Sequence, residues 1–175
     1  MKSRWEKGMN LLTIGYEGLT PDTFFAALNT QKVQSLIDVR ELPLSRKPGF
    51  SKTALSQTAA SHTIAYMHIV ELGCPKDIRH TYRQDRDWQR YQRRYLEHLE
   101  QQQPTLEALV DQMQYAQCCL VCFEADYTTC HRSLIARRLK SLVGESLTVT
   151  HLRSRAPSQV ATPGCLVAPV GRTAR

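Results

Sequence analysis

The sequence predicts a three-layer α/β domain with a mainly parallel sheet of about five strands and helical crossovers. Three observations carry that expectation. Short apolar runs of strand length alternate with stretches of helical periodicity along the chain. Helix-start and helix-stop residues punctuate the boundaries. Strands separated by helices imply right-handed crossovers, and so parallel neighbours. At 175 residues the chain has the length of one domain, which buries roughly 68–70% of its unfolded surface.

LLTIGY (11–16) is the first apolar run, and Thr20-Pro21 then gives an N-cap and a first-turn proline for the helix PDTFFAALNT. VQSLIDVR (33–40) reads as a second buried strand, followed by a loop broken by Pro43, Pro48 and Gly49. Ser51 caps a helix through KTALSQTAAS. TIAYMHIV (63–70) is rich in β-branched and aromatic residues and stops at Gly73-Cys74-Pro75. The polar stretch 75–86 has no clear periodicity and is expected to be a surface loop.

From Trp88, the positions Trp88, Tyr91, Tyr95 and Leu99 recur at helical spacing as far as Pro104. TLEALVDQMQYA is the next helix, CCLVCFEA (118–125) the fourth strand, and SLIARRLKSLV the last major helix, stopped by Gly144. LTVTHL (147–152) makes the fifth strand. The expected organisation is an N-terminal extension (1–10), one α/β domain (11–152) and a flexible tail rich in Pro, Arg and small residues (153–175).

Lys and Arg number 23 against 16 Asp and Glu, a formal charge of +7, which favours phosphate-bearing small molecules or nucleic acid as partners. No run approaches the roughly 18 apolar residues of a membrane span, and the polar start MKSRWEKGMN is unlike a signal segment. The six cysteines are therefore expected as free thiols in a reducing cytoplasm rather than as a disulfide framework. No cofactor is expected.

Open parallel sheets bind ligands outside the carboxyl ends of their strands, and the polar residues of this chain cluster there. Tyr16 and Glu17 follow the first strand, Asp38 and Arg40 end the second, His68 and Glu71 lie near the end of the third, and Glu124 to Arg132 follow the fourth. Segments far apart in sequence are thus expected to meet on one rim.

TIGYEG, LIDVRELPLSRKPGFSK, the Y-x-H of AYMHI, ELGCP, the DW of RDWQRY and CFEADYTTCHRSLIA resemble, in order, the signature blocks of the domain-of-unknown-function 488 family. The resemblance runs over about residues 11–140 and implies the same α/β fold, with no settled reaction. Many members of that family carry a histidine and serine after the first strand's glycine and a second glycine after LG. This chain has Tyr16-Glu17 and Cys74-Pro75, as a distinct subgroup does, so the usual histidine's role does not pass to Tyr16. Function must be argued from the site.

A helix starting near Thr129 or Cys130 places the Cys130 thiol among unpaired backbone N–H groups beside His131 and Arg132, which favours thiolate. Two readings fit: a nucleophilic or redox thiol, and a buried structural one. Arg132 either binds an anion with the helix N-terminus or pairs with Glu124 or Asp38. Asp38 and Arg40, two apart, share a strand face; a buried Asp38 needs a partner, as a base or as a structural acceptor, and Arg40 faces either ligand or protein.

As a zinc set, Cys118, Cys122, Cys130 and His131 match no usual spacing, and a strand spreads Cys118 and Cys122 about 13 Å apart. No metal is expected from that set, and Cys118, Cys119 and Cys122 read as core residues. LIDVRE followed downstream by strand, cysteine, loop, Arg-Ser and helix is similar to the rhodanese and cysteine-phosphatase layout. The compact Cys-x5-Arg loop is missing, because the sixth residue beyond Cys130 is Ala136.

Between residues 78 and 98, arginines interleave with Tyr82, Trp88, Tyr91 and Tyr95, which suits either nucleic-acid stacking or a core stripe with a solvated basic face. The sequence therefore leaves two classes of function. One is an enzyme on a phosphate-bearing substrate, with Cys130, Glu124 and Asp38 as catalytic candidates, Arg40, Arg132, His131 and Arg46 as anion-binding candidates, and Tyr16, Glu17 and His68 on the substrate rim. The other is a non-catalytic nucleotide or nucleic-acid binding module.

Overall fold

The computed structural model of the chain describes residues 8–152; the expected tail and most of the expected N-terminal extension lie outside them. One parallel sheet contains β1 (Met9–Gly15), β2 (Ser35–Asp38), β3 (Ala65–His68), β4 (Cys118–Cys122) and β5 (Leu147–His151), in the order β3-β2-β4-β1-β5. Six helices are present among the described residues: α1 (Pro21–Thr30), α2 (Lys52–Ser61), α3 (Lys76–Asp85), α4 (Trp88–Glu100), α5 (Gln103–Met113) and α6 (His131–Val143).

Strand alternation divides the core in two. On one face Leu12, Ile14, Leu36, Cys119 and Val121 join a cluster with Phe24, Phe25 and Leu28 of α1 and Leu55 of α2. On the other, Leu11, Ile37, Cys118 and Leu120 share a cluster with Tyr95, Leu106 and Ile135 from α4, α5 and α6. The predicted three-layer α/β architecture follows, because strands buried on both faces need a helical layer on each. No helix among the described residues is long and apolar enough to cross a membrane.

The caps work as their residue types dictate. Thr20 Oγ1 accepts from Thr23 N at 3.2 Å while the Thr20 N–H donates to Thr23 Oγ1 at 3.0 Å, a reciprocal box. Ser51 accepts from Ala54 N to start α2. The stretch expected to be a surface loop is instead mostly α3. Its short apolar face, Ile78 and Tyr82, is one helical turn long and too brief to register as periodicity, yet it packs on the larger core cluster. Arg86, at φ 55°, ends the helix in the left-handed conformation, and Arg94 of α4 reaches back to Asp77 at 2.6 Å. α5 starts at Gln103, with Pro104 in its first turn.

Register brings the carboxyl ends of the middle strands level. Gly15 is opposite Cys122, and Asp38 is opposite Val121. The ladder then runs past the strand ends, with Tyr16 N donating to Cys122 O and Glu17 N to Phe123 O. Chain segments 106 residues apart are thereby fixed side by side at one rim.

Candidate functional site

The rim holds two clusters of polar side chains. The first grows from the end of β2. Asp38, with no exposed surface, accepts from Arg40 Nε at 2.8 Å through Oδ1 and from the Tyr66 hydroxyl at 2.6 Å through Oδ2, where the Arg40 Nη2 also binds. Arg40, 6% exposed, gives its remaining terminal nitrogen to the Tyr16 hydroxyl at 3.0 Å and to Phe50 O at 2.8 Å. Tyr16 stacks on Phe50, ring centres 4.4 Å apart. Burial opposes the Arg40 charge, but the Asp38 contacts outweigh it and hold the guanidinium protonated; burial and Asp38 also raise Tyr66. His68 Nε2 donates to Arg40 O at 2.8 Å.

The second cluster forms where β4 turns into α6. Cys122 ends the strand and Cys130 is the N-cap of the helix, in extended backbone conformation but with no capping bond from its side chain. A cap favours Ser, Thr, Asp or Asn because the side-chain oxygen takes a free N–H. Here the sulfur turns elsewhere. Cys122 Sγ lies 2.8 Å and Cys130 Sγ 3.2 Å from Glu124 Oε2, and His131 Nδ1 lies 3.7 Å and 3.9 Å from the same two sulfurs. All four functional atoms fall within 4.8 Å of one another. The sulfurs and the imidazole are buried, while Glu124 is partly buried.

His131 Nε2 points at Val39 O, 2.8 Å away. A carbonyl only accepts, so Nε2 carries the proton and Nδ1 presents its lone pair to the sulfurs when the ring is neutral. The local field separates the acids. Burial pushes Cys122 up, and burial together with Cys130 pushes Glu124 up. At Cys130 burial is outweighed by bonds to Cys122 and His131, so its thiol is lowered; His131 is correspondingly raised by Cys130 against its own burial.

The loop between the two halves is knit from both sides. Arg132, 1% exposed, donates to Glu124 O at 2.6 Å and Ala125 O at 3.0 Å, leaving Nε without a partner. Glu17 accepts from Ala125 N. Tyr127 stacks on His151 with centres 3.8 Å apart, and Cys130 N donates to Tyr127 O.

Of the residues singled out by sequence, Glu124, Cys130 and His131 converge in the second cluster, and Asp38, Arg40 and Tyr16 in the first. Arg132 and Glu17 brace the loop, His68 braces the Arg40 backbone, and Arg46 is exposed. Asp38 does have the partner its burial demands. Arg132 meets backbone carbonyls of Glu124 and Ala125 rather than a carboxylate. Cys122, read as a core residue, is buried but belongs to the site; its spacing to Glu124, two residues in an extended chain, was the available signal. Cys118 is at the far end of β4, and Glu124 takes its place beside the other three.

The arginine-rich stretch behaves differently. Tyr91 and Tyr95 are buried, and Trp88 and Tyr91 stack at 4.8 Å. Arg79, Arg90 and Arg94 pair with Glu41, Asp85 and Asp77. The aromatic faces are used in packing.

A family model described as "Domain of unknown function DUF488" matches residues 20–139. No curated protein and no solved structure matches the chain.

Proposed function

The chain belongs to the DUF488 family, and from that premise, which assigns no reaction, we propose that the rim is an active site for a phosphate-bearing substrate, a nucleotide or a nucleic acid. One observation carries the reading. Four reactive side chains from the end of β4 and the start of α6 present their functional atoms to one another, where a strand-to-helix turn needs a single small polar cap. Glu124, the least buried member, faces the substrate and is the proton carrier in this proposal. Cys130 and His131 are its reactive neighbours.

The buried guanidiniums of Arg40 and Arg132 are nearly saturated by protein acceptors. In this proposal they hold the rim in shape, with Asp38 as the structural acceptor. Substrate charge is met by the exposed Arg46 and Lys52 and by the chain's net charge of +7, since surface cations raise the local concentration of anions. The free thiols of Cys74, Cys118, Cys119, Cys122 and Cys130 suit a cytoplasmic setting.

Binding of a fluorescent single-stranded oligonucleotide and of labelled ATP, followed by anisotropy at two salt concentrations, tests the proposal. The wild-type chain is expected to bind at least one of them, more weakly at high salt. Arg46→Glu combined with Lys52→Glu should weaken binding roughly tenfold or more and flatten the salt dependence. Glu124→Gln should leave binding intact while stopping release of phosphate or of cleaved strand. Absence of binding to either probe at low salt contradicts the proposal.

A further inference from the structure

We propose that Cys122, Glu124, Cys130 and His131 bind one zinc ion. The inference rests on the reading that this cluster is the functional centre, and it supplies the centre with a cofactor.

The donor set comes first. Two sulfurs, an imidazole nitrogen and a carboxylate are the ligand types that borderline-soft zinc takes, and thiolate with imidazole disfavours magnesium and calcium. Geometry agrees. With zinc–sulfur and zinc–nitrogen bonds of about 2.3 and 2.0–2.1 Å, the sulfur–nitrogen edge of a tetrahedron is about 3.6 Å. The two such edges here measure 3.7 and 3.9 Å. The sulfur–carboxylate contacts, 2.8 and 3.2 Å, lie inside the corresponding edge of about 3.5 Å, and the whole set lies within 4.8 Å, so binding requires the Glu124 carboxylate to move off the sulfurs and the four groups to settle around the ion.

The surroundings are those of a ligand shell. Metal-bound histidines donate their other ring N–H to a carbonyl or carboxylate, which fixes the tautomer; His131 Nε2 does so to Val39 O at 2.8 Å. Three acidic groups meet at this point, yet among the described residues no Lys or Arg forms an ion pair with the Glu124 carboxylate. The guanidinium of Arg132 binds the backbone carbonyls of the same loop. It offsets the residual negative charge of a zinc held by two thiolates and a carboxylate. Binding releases the thiol protons to solvent, so affinity rises with pH.

Three ligands are buried and Glu124 is only partly so, which makes the carboxylate the ligand with the most room to exchange. A phosphate oxygen displacing Glu124 would meet a Lewis acid there. Glu124 would then stand free beside the substrate as the proton carrier already assigned to it.

The test uses the full chain, stripped with a chelator and titrated with zinc against a colorimetric competitor. One equivalent is expected. Cobalt in its place should give a thiolate-to-metal charge-transfer band and the intense visible bands of tetrahedral coordination. Cys122→Ser, Glu124→Gln and His131→Asn should each weaken zinc binding by more than the roughly 10–100-fold that loss of an outer partner costs, whereas Cys118→Ala, at the far end of β4, should not. Absence of stoichiometric zinc, or cluster variants that bind as the wild type does, overturns the inference. Should a variant fail to fold, the cobalt spectrum of the wild-type chain still decides, since an octahedral, thiolate-free spectrum also overturns it. Probe binding by a chain that takes up no zinc overturns the zinc inference alone; zinc uptake by a chain that binds neither probe upholds it and removes the phosphate reading alone.

Discussion

Asp38→Ala is expected to lower the melting temperature by roughly 6–20 °C, the largest effect of any single change at the rim. Asp38 has no exposed surface, and its carboxylate takes the Nε and one terminal nitrogen of Arg40 as well as the Tyr66 hydroxyl. Removing it leaves a guanidinium 6% exposed without its counter-charge. Breaking a buried pair from one side costs about 3–5 kcal/mol, while replacing both partners by apolar groups of similar size is often neutral. Asp38→Leu with Arg40→Met should therefore recover most of the loss. Thermal unfolding of the two variants checks this, and equal destabilisation in both would mean that Arg40 is held by Tyr16 and Phe50 rather than by Asp38.

Gly15→Ala is expected to damage the site and the fold together. A Cβ at this position would lie 1.7 Å from Glu124 O and 2.5 Å from Glu124 C. Backbone, not a flexible side-chain end, blocks it. The loop after β4 must lift, and it carries away the carbonyl that Arg132 grips and the carboxylate that faces both sulfurs. Overpacking of this kind costs about 1–3 kcal/mol, or roughly 2–12 °C in melting temperature, and affinity at the cluster should fall with it. Gly8→Ala, where nothing stands within 4 Å of the added carbon, should change neither. Melting curves and zinc titrations on the two variants separate a local clash from a general effect of added side chains.

β2 and β4 were legible as apolar runs, being buried along their whole length, and β5 as an alternating β-branched one. Thr20 and Ser51 were legible as caps because a hydroxyl just before a helical pattern has a clear local use. α3 was not, since its apolar face amounts to Ile78 and Tyr82 and its stability comes from packing and from ion pairs to Glu41 and Arg94. Sheet order was out of reach for a similar reason: it is set by contacts between distant segments.

At the site, the meeting of strand ends was legible from the parallel topology alone, and so was the need for Asp38 to have a partner. The occupation of Arg40 and Arg132 by protein acceptors is not legible in the sequence, because a guanidinium beside a carboxylate can face inward or outward with the same sequence. Cys122 was hidden by its company. In a strand as apolar as CCLVC a cysteine reads as packing, and only the return of residues 123–129 toward the strand end brings Cys130 and His131 against it. The cap itself held the usable clue: Cys130 occupies a position where an oxygen would do more for the helix.

In this proposal Cys122, Glu124, Cys130 and His131 make one centre rather than a well-packed turn. A crystal of the full chain grown with zinc, measured at the zinc absorption edge, tests it most directly. One strong anomalous peak is expected at about 2.3 Å from the sulfurs of both Cys122 and Cys130 and about 2.0–2.1 Å from His131 Nδ1. A map with no peak there, with both sulfurs still resting on the Glu124 carboxylate, would contradict it.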